Sequence, residues 1–171
     1  MENEDVTMNI LEKSNFNEIK DSISDFTVTY IIKLIENISL YVDSSVVVEP
    51  IELVNKYKAG HELSQEITGY PSAYSAIDGE PDALVEFAEK YARLGIDSFD
   101  MLCKEAIVDF LNLHNGLFIV HLSKMNLGEL SLNAPKSTGP LNITQEVDGK
   151  ITIVPIKFSF GVVKFILYEL P

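Results

Sequence analysis

With 171 residues, 46% of them apolar, the chain is long enough for one substantial hydrophobic core and short for two independent domains. Its formal net charge of −13 argues against nucleic acid or an anionic membrane as partner, because both demand a surplus of Lys and Arg. Cys103 is the single cysteine, which excludes an internal disulfide and a thiolate metal cluster.

The opening MENEDVTMNILEK is acidic where a secretory signal carries positive charge, and no run approaches the ~20 apolar residues of a spanning helix. A cytoplasmic protein is expected. Residues 1–13 read as a mobile polar tail and residues 14–171 as a single domain.

Ile23, Phe26, Tyr30, Ile31, Leu34 and Ile38 recur at helical spacing, and VVVEPIEL then reads as a strand whose Val-rich start favours the pleated state. LSQEITGY, from Leu63, is strand-like and ends at a turn. PDALVEFAEKYARLG has Pro81 at a helix start and Gly95 at its end, with Asp82 and Glu86 near the positive pole and Lys90 and Arg93 nearer the other. A second long helix places Phe99, Leu102, Cys103, Ala106, Phe110, Leu113 and Leu117 on one stripe. ELSLNAP, ITIVPIKF and VVKFILYEL read as strands, the last apolar on both faces and therefore central. Gly139-Pro140 and Asp148-Gly149 are turn signals.

The chain also matches itself. LSQEITGY parallels ITQEVDGK from Ile143, Asp25-Phe26 parallels Asp109-Phe110, and Pro50 parallels Pro135, at spacings of about 80 to 85 residues. Two copies of one unit follow, over about 14–96 and 97–171. The expected fold is α+β with a pseudo-two-fold repeat: a mainly antiparallel sheet of about six strands, two long helices packed on it, and a shorter connecting helix.

Phosphate-loop, dinucleotide and nucleophile-elbow motifs are absent from the sequence. His114 and His121 lack a third ligand at suitable spacing for zinc, no metal site is expected, and Cys103 reads as a small buried hydrophobe. One feature stands out on KEAIVDFLNLHNG. Glu105, Asp109 and Asn112, spaced by four and three, fall within roughly 60° of one another on the helix, about 110° from the centre of the apolar stripe. Met101 and Val108 are expected beside them on the exposed side, giving aligned polar groups an apolar rim as a docking surface has. On spacing alone, the alternative is a solvated helix face.

At this helix the sequence resembles the CheX/CheC chemotaxis-phosphatase family, whose signature is ExxN on a long helix. The match is Asp109-Phe-Leu-Asn112, with Gly116 four residues on, ELSLNAP ending at Pro135, and the hairpin ITIVPIKFSFGVVKFILYEL. It covers roughly the last hundred residues and, more weakly, the first seventy. The resemblance implies removal of the phosphoryl group from the aspartyl phosphate of a CheY-like response-regulator receiver, with magnesium bound by the receiver and no cofactor in this chain. It implies that Asn112 orients the attacking water and that Asp109 pairs with a receiver lysine, while Glu105, Met101 and Val108 would contact the partner. The chain departs from the signature in having Asp for Glu, which withdraws the carboxylate by roughly 1.3 Å, a displacement large enough to matter to positioning catalysis. The first copy has Asp25 in the acidic place but Val28 in that of the asparagine, so it is expected to serve as scaffold. A non-catalytic binding or dimerisation module, including a homodimer, is the alternative.

Overall fold

The computed structural model describes residues 2–59, 63–137, 141–144 and 151–170. The turn signals Gly139-Pro140 and Asp148-Gly149 lie outside them.

The described chain begins with α1 (Glu2–Glu12), α2 (Phe16–Ile19) and one turn of 3-10 helix (Lys20–Ser22). The long helix α3 (Asp25–Tyr41) follows, started by Ser24, whose hydroxyl accepts from the Thr27 backbone N–H at 3.1 Å. Strands β1 (Val47–Val48), β2 (Glu52–Val54), β3 (Lys56–Ala59), β4 (Ser64–Thr68) and β5 (Ala73–Gly79) come next. Helix α4 (Pro81–Ala92) has proline in its first turn, and helix α5 (Met101–Lys124) is capped by Asp100, which accepts from the Cys103 N–H at 3.1 Å. Strands β6 (Ser131–Leu132), β7 (Leu141–Thr144), β8 (Ile151–Phe158) and β9 (Gly161–Glu169) complete the fold.

The main sheet runs β1-β8-β9-β5-β4-β6, with β2 continuing along β8 beyond β1, and every pairing among the described residues is antiparallel. It is six positions wide, with the apolar β9 inside as its composition requires. A separate ribbon pairs β3 with β7. Read from the β5/β9 seam outward, β5 answers β9, β4 answers β8, β1 and β6 form opposite edges, and β3 meets β7. The repeat is thus built into the topology. Tyr41 and Lys124 end the two long helices 83 residues apart, and Val47 and Ser131 begin the two edge strands 84 apart, which supports pairing Asp25 with Asp109.

One part of the expected repeat is wrong. LSQEITGY supplies β4, whose topological counterpart is β8, whereas ITQEVDGK begins in β7, a strand of the separate ribbon. Short polar-apolar alternation recurs in any half-buried strand, so this likeness carried no register.

The expected tail over residues 1–13 is also corrected. Glu2–Glu12 form a helix laid against α3, with Thr7 and Leu11 buried. Few apolar residues are needed to dock so short a helix, and its acidic remainder faces outward. Gly95 does not close α4 either; Arg93 takes the left-handed position with φ 56°.

Helices α3 and α5 pack against each other, and aromatic rings from both helices and the sheet fill the core. Tyr30 and His114, equivalent positions of the two copies, meet edge-on with ring centres 4.8 Å apart. Length and composition alone would let α5 cross a membrane. Its face of Cys103, Ile107, Phe110, Leu111, Phe118 and Leu122 is instead buried in this core.

Candidate functional site

The inner face of α5 fixes its outer one. Burial of Ile107, Phe110, Leu111, His114 and Phe118 turns Glu105, Asp109 and Asn112 outward, and all three are exposed as their spacing predicts. Met101 is also exposed, at 54%. Val108 is not: it is buried, in a row with Leu111 and Asn115 on the side facing β4. The buried sector of α5 is wider than its apolar stripe because it includes the polar His114 and Asn115, and Leu102, assigned to the stripe, is 49% exposed.

Asp109 is held from a neighbouring helix. The Tyr91 hydroxyl, in the last turn of α4, donates to Asp109 Oδ2 at 2.8 Å, while the Tyr91 ring packs edge-on against Phe110. Burial, and then the Asp109 carboxylate, push the phenol well above its ordinary range, so it remains a donor at physiological pH. Beside this pair, Leu94, Leu102, Leu113 and Glu105 line a groove of about 510 Å³ between α4 and α5.

Asn112 is held from the sheet. Gln65 Nε2 lies 2.7 Å from Asn112 Oδ1 and 2.9 Å from the Asn133 carbonyl, and Asn115 Nδ2 lies 2.9 Å from Gln65 Oε1. A backbone carbonyl can only accept, so the end of Gln65 near Asn133 must be its NH2. Asn112 therefore offers that group its carbonyl oxygen. Its own NH2 is turned away from Gln65, toward solvent.

The first copy cannot reproduce this arrangement. Asp25 stands in the first turn of α3, and Val28 packs against the core where an amide would be needed. One turn on, Ile32 shares a cleft with Thr7 and Met8 of α1.

The remaining candidates separate. His114 is fully buried, its Nδ1 2.9 Å from Asn37 Nδ2, and burial, reinforced by the charge of Lys33, holds it down to about 3. His121 lines the α1 cleft instead. Burial pushes the Cys103 thiol up to about 11, so it is no nucleophile at neutral pH. Sequence reasoning missed Tyr91, Gln65 and Asn115. Only Asn115 left a signal, as a polar residue three positions after Asn112 on the same helix.

No family model matches the chain, and no curated protein matches it. Solved structures do. A CheC-like superfamily protein from Shewanella sp. PV-4 is 17% identical with a TM-score of 0.70, over 87% of this chain and 99% of that one. The chemotaxis protein CheX from Desulfovibrio desulfuricans is 12% identical with a TM-score of 0.69, over 86% and 100%. A chain of the CheX–CheY–BeF3–Mg2+ complex from Borrelia burgdorferi is 13% identical with a TM-score of 0.58, over 86% and 99%. The chain has the CheX/CheC-like fold.

Proposed function

We propose that this chain binds the receiver domain of a CheY-like response regulator in the cytoplasm and hydrolyses its aspartyl phosphate. The observation that carries the reading is the exposed pair on α5: Asp109 and Asn112 stand one helical turn apart, outward, each steadied by a hydrogen bond from another element. The CheX/CheC-like fold and a net charge of −13, suited to a basic protein surface, support it.

In this reaction water attacks phosphorus in line, the phosphorus bond to the aspartate oxygen breaks, and the receiver recovers its carboxylate. Magnesium, held by the receiver, neutralises charge on the phosphoryl oxygens. Asn112 would enter the receiver site and position the water, the kind of contribution phosphoryl transfer rewards. Asp109 would pair with a receiver lysine. A carboxylate offers about four acceptor sites, so the Tyr91 bond leaves room for that lysine. Glu105 and Met101 would meet the partner beside them. The test follows phosphate loss from a phospho-receiver with wild type and Asn112→Ala; equal decay rates reject the catalytic role.

A second reading, a non-catalytic receiver-binding or dimerisation module, is favoured by the Tyr91 bond itself, which pairs one oxygen of the motif carboxylate within its own chain. Tight receiver binding without faster dephosphorylation would establish it.

A further inference from the structure

We infer that Gln65 is a positioning residue for Asn112, fixing which end of its amide meets the reacting groups. The inference rests on the phosphatase reading and deepens it.

Gln65 is 1% exposed and Asn115 is fully buried, so neither can exchange its hydrogen bonds for water without opening the structure. The hydrogens of Gln65 Nε2 go to Asn112 Oδ1 and the Asn133 carbonyl, and its Oε1 accepts from Asn115. Polarity runs one way through this chain of amides. It starts from a backbone carbonyl that cannot be reversed, and turning Asn112 over would set its NH2 against the Gln65 NH2. An exposed asparagine on a helix ordinarily samples several rotamers and both amide faces. Here the side chain is anchored by its oxygen to a buried residue of β4, which removes that freedom before any partner arrives.

The consequence is chemical. The anchored amide presents Nδ2–H as a donor to the water oxygen, leaving the water its second lone pair for attack. The remaining lone pair of Asn112 Oδ1 can take one of the water's hydrogens. Loss of the anchor should therefore lower turnover without altering the surface that recognises the receiver.

Two variants and one direct measurement test this. Gln65→Met keeps length and removes every hydrogen bond; Gln65→Glu keeps shape but loses the NH2 group, so it accepts only while ionised, which favours the reversed amide, and has a single hydrogen to donate if protonated. Both are expected to lower kcat for dephosphorylation by about tenfold to a hundredfold, the scale of a misplaced catalytic group, with KM for the phospho-receiver within about twofold of wild type. Side-chain amide NMR of the wild-type protein should show Gln65 NH2 protected from exchange and Asn112 NH2 exchanging rapidly. A Gln65→Met protein with wild-type kcat, while Asn112→Ala is inactive, would overturn the inference and spare the phosphatase reading. A KM rising in step with any loss of kcat would also overturn it. Should Asn112→Ala retain full activity, the phosphatase reading falls, and exchange of Gln65 NH2 as fast as that of Asn112 would refute the anchor independently. The exchange measurement also decides the matter if both variants fail to fold.

Discussion

Tyr91, in the last turn of α4, donates its phenolic hydrogen to Asp109 in the third turn of α5, 2.8 Å away, so the acidic residue of the motif is tethered to a second helix of its own chain. Both residues line the groove that the two helices form. The tether restricts a side chain that would otherwise move freely in solvent.

Tyr91→Phe should keep the ring packed on Phe110 and remove only that bond, lowering stability by about 1 kcal/mol or less in chemical denaturation. If the tether orients Asp109 for a receiver lysine, binding should weaken by roughly twofold to tenfold, the equivalent of one modest hydrogen bond. Unchanged affinity, measured by titration calorimetry, would mean that the tether plays no part in recognition.

Asp109→Ala removes the carboxylate itself and should weaken receiver binding by about 2 to 5 kcal/mol if its lysine partner is buried in the complex. Folding stability should change by no more than about 1 kcal/mol, the size of the lost Tyr91 bond. Asp109→Glu restores the longer side chain of the ExxN signature. Faster dephosphorylation would identify the native residue as a weakened catalyst; no gain would favour the binding module.

The outer face of α5 was legible because its spacing is local: residues four and three apart share a helix face wherever the helix lies. What holds those residues was not. Gln65 lies 47 positions from Asn112, in a strand where one polar residue among several gives no hint of its partner. Tyr91 looked like part of an ordinary amphipathic helix. Val108 was misplaced because the buried sector of α5 contains His114 and Asn115, and polar residues in a core shift the apparent centre of an apolar stripe. The repeat was read correctly at its helices and edge strands, where the offset is steady. It failed at LSQEITGY and ITQEVDGK, where pleated alternation imitates homology.

The N-terminal helix gives a simple test of the corrected domain boundary. Leu11 is fully buried at the joint of α1 with the core, so Leu11→Ala should destabilise the protein by about 2 to 5 kcal/mol. A mobile tail would show no change. The measurement is urea denaturation, with the midpoint compared at equal slope.

The pH dependence of stability should carry the mark of His114. Its folded-state value is held down to about 3 by burial, with Lys33 adding charge repulsion, while in the unfolded chain it returns to 6.5. Tyr30, Phe110 and Phe118 pack around the ring and Asn37 bonds to Nδ1, leaving no carboxylate among these contacts to stabilise an imidazolium. Above about pH 6.5 both states hold the neutral ring. As pH falls below 6.5, the unfolded state binds a proton that the folded state refuses until near 3, so stability is lost progressively across that window. The slope approaches about 1.4 kcal/mol per pH unit. Asp43, lowered to about 2 by its hydrogen bonds to Lys90 and Ser45, adds a further loss only at more acid pH, because its unfolded value is 3.8. The range from pH 6.5 to 5 therefore separates the His114 contribution from that of Asp43. His114→Leu should reduce stability at neutral pH, since it strands Asn37, yet flatten the profile between pH 6.5 and 5. Denaturation midpoints at pH 7, 6 and 5 decide it: equal slopes in the two proteins would show that His114 takes up its proton over the same pH range in the folded and unfolded chains, and so is not held neutral by the fold.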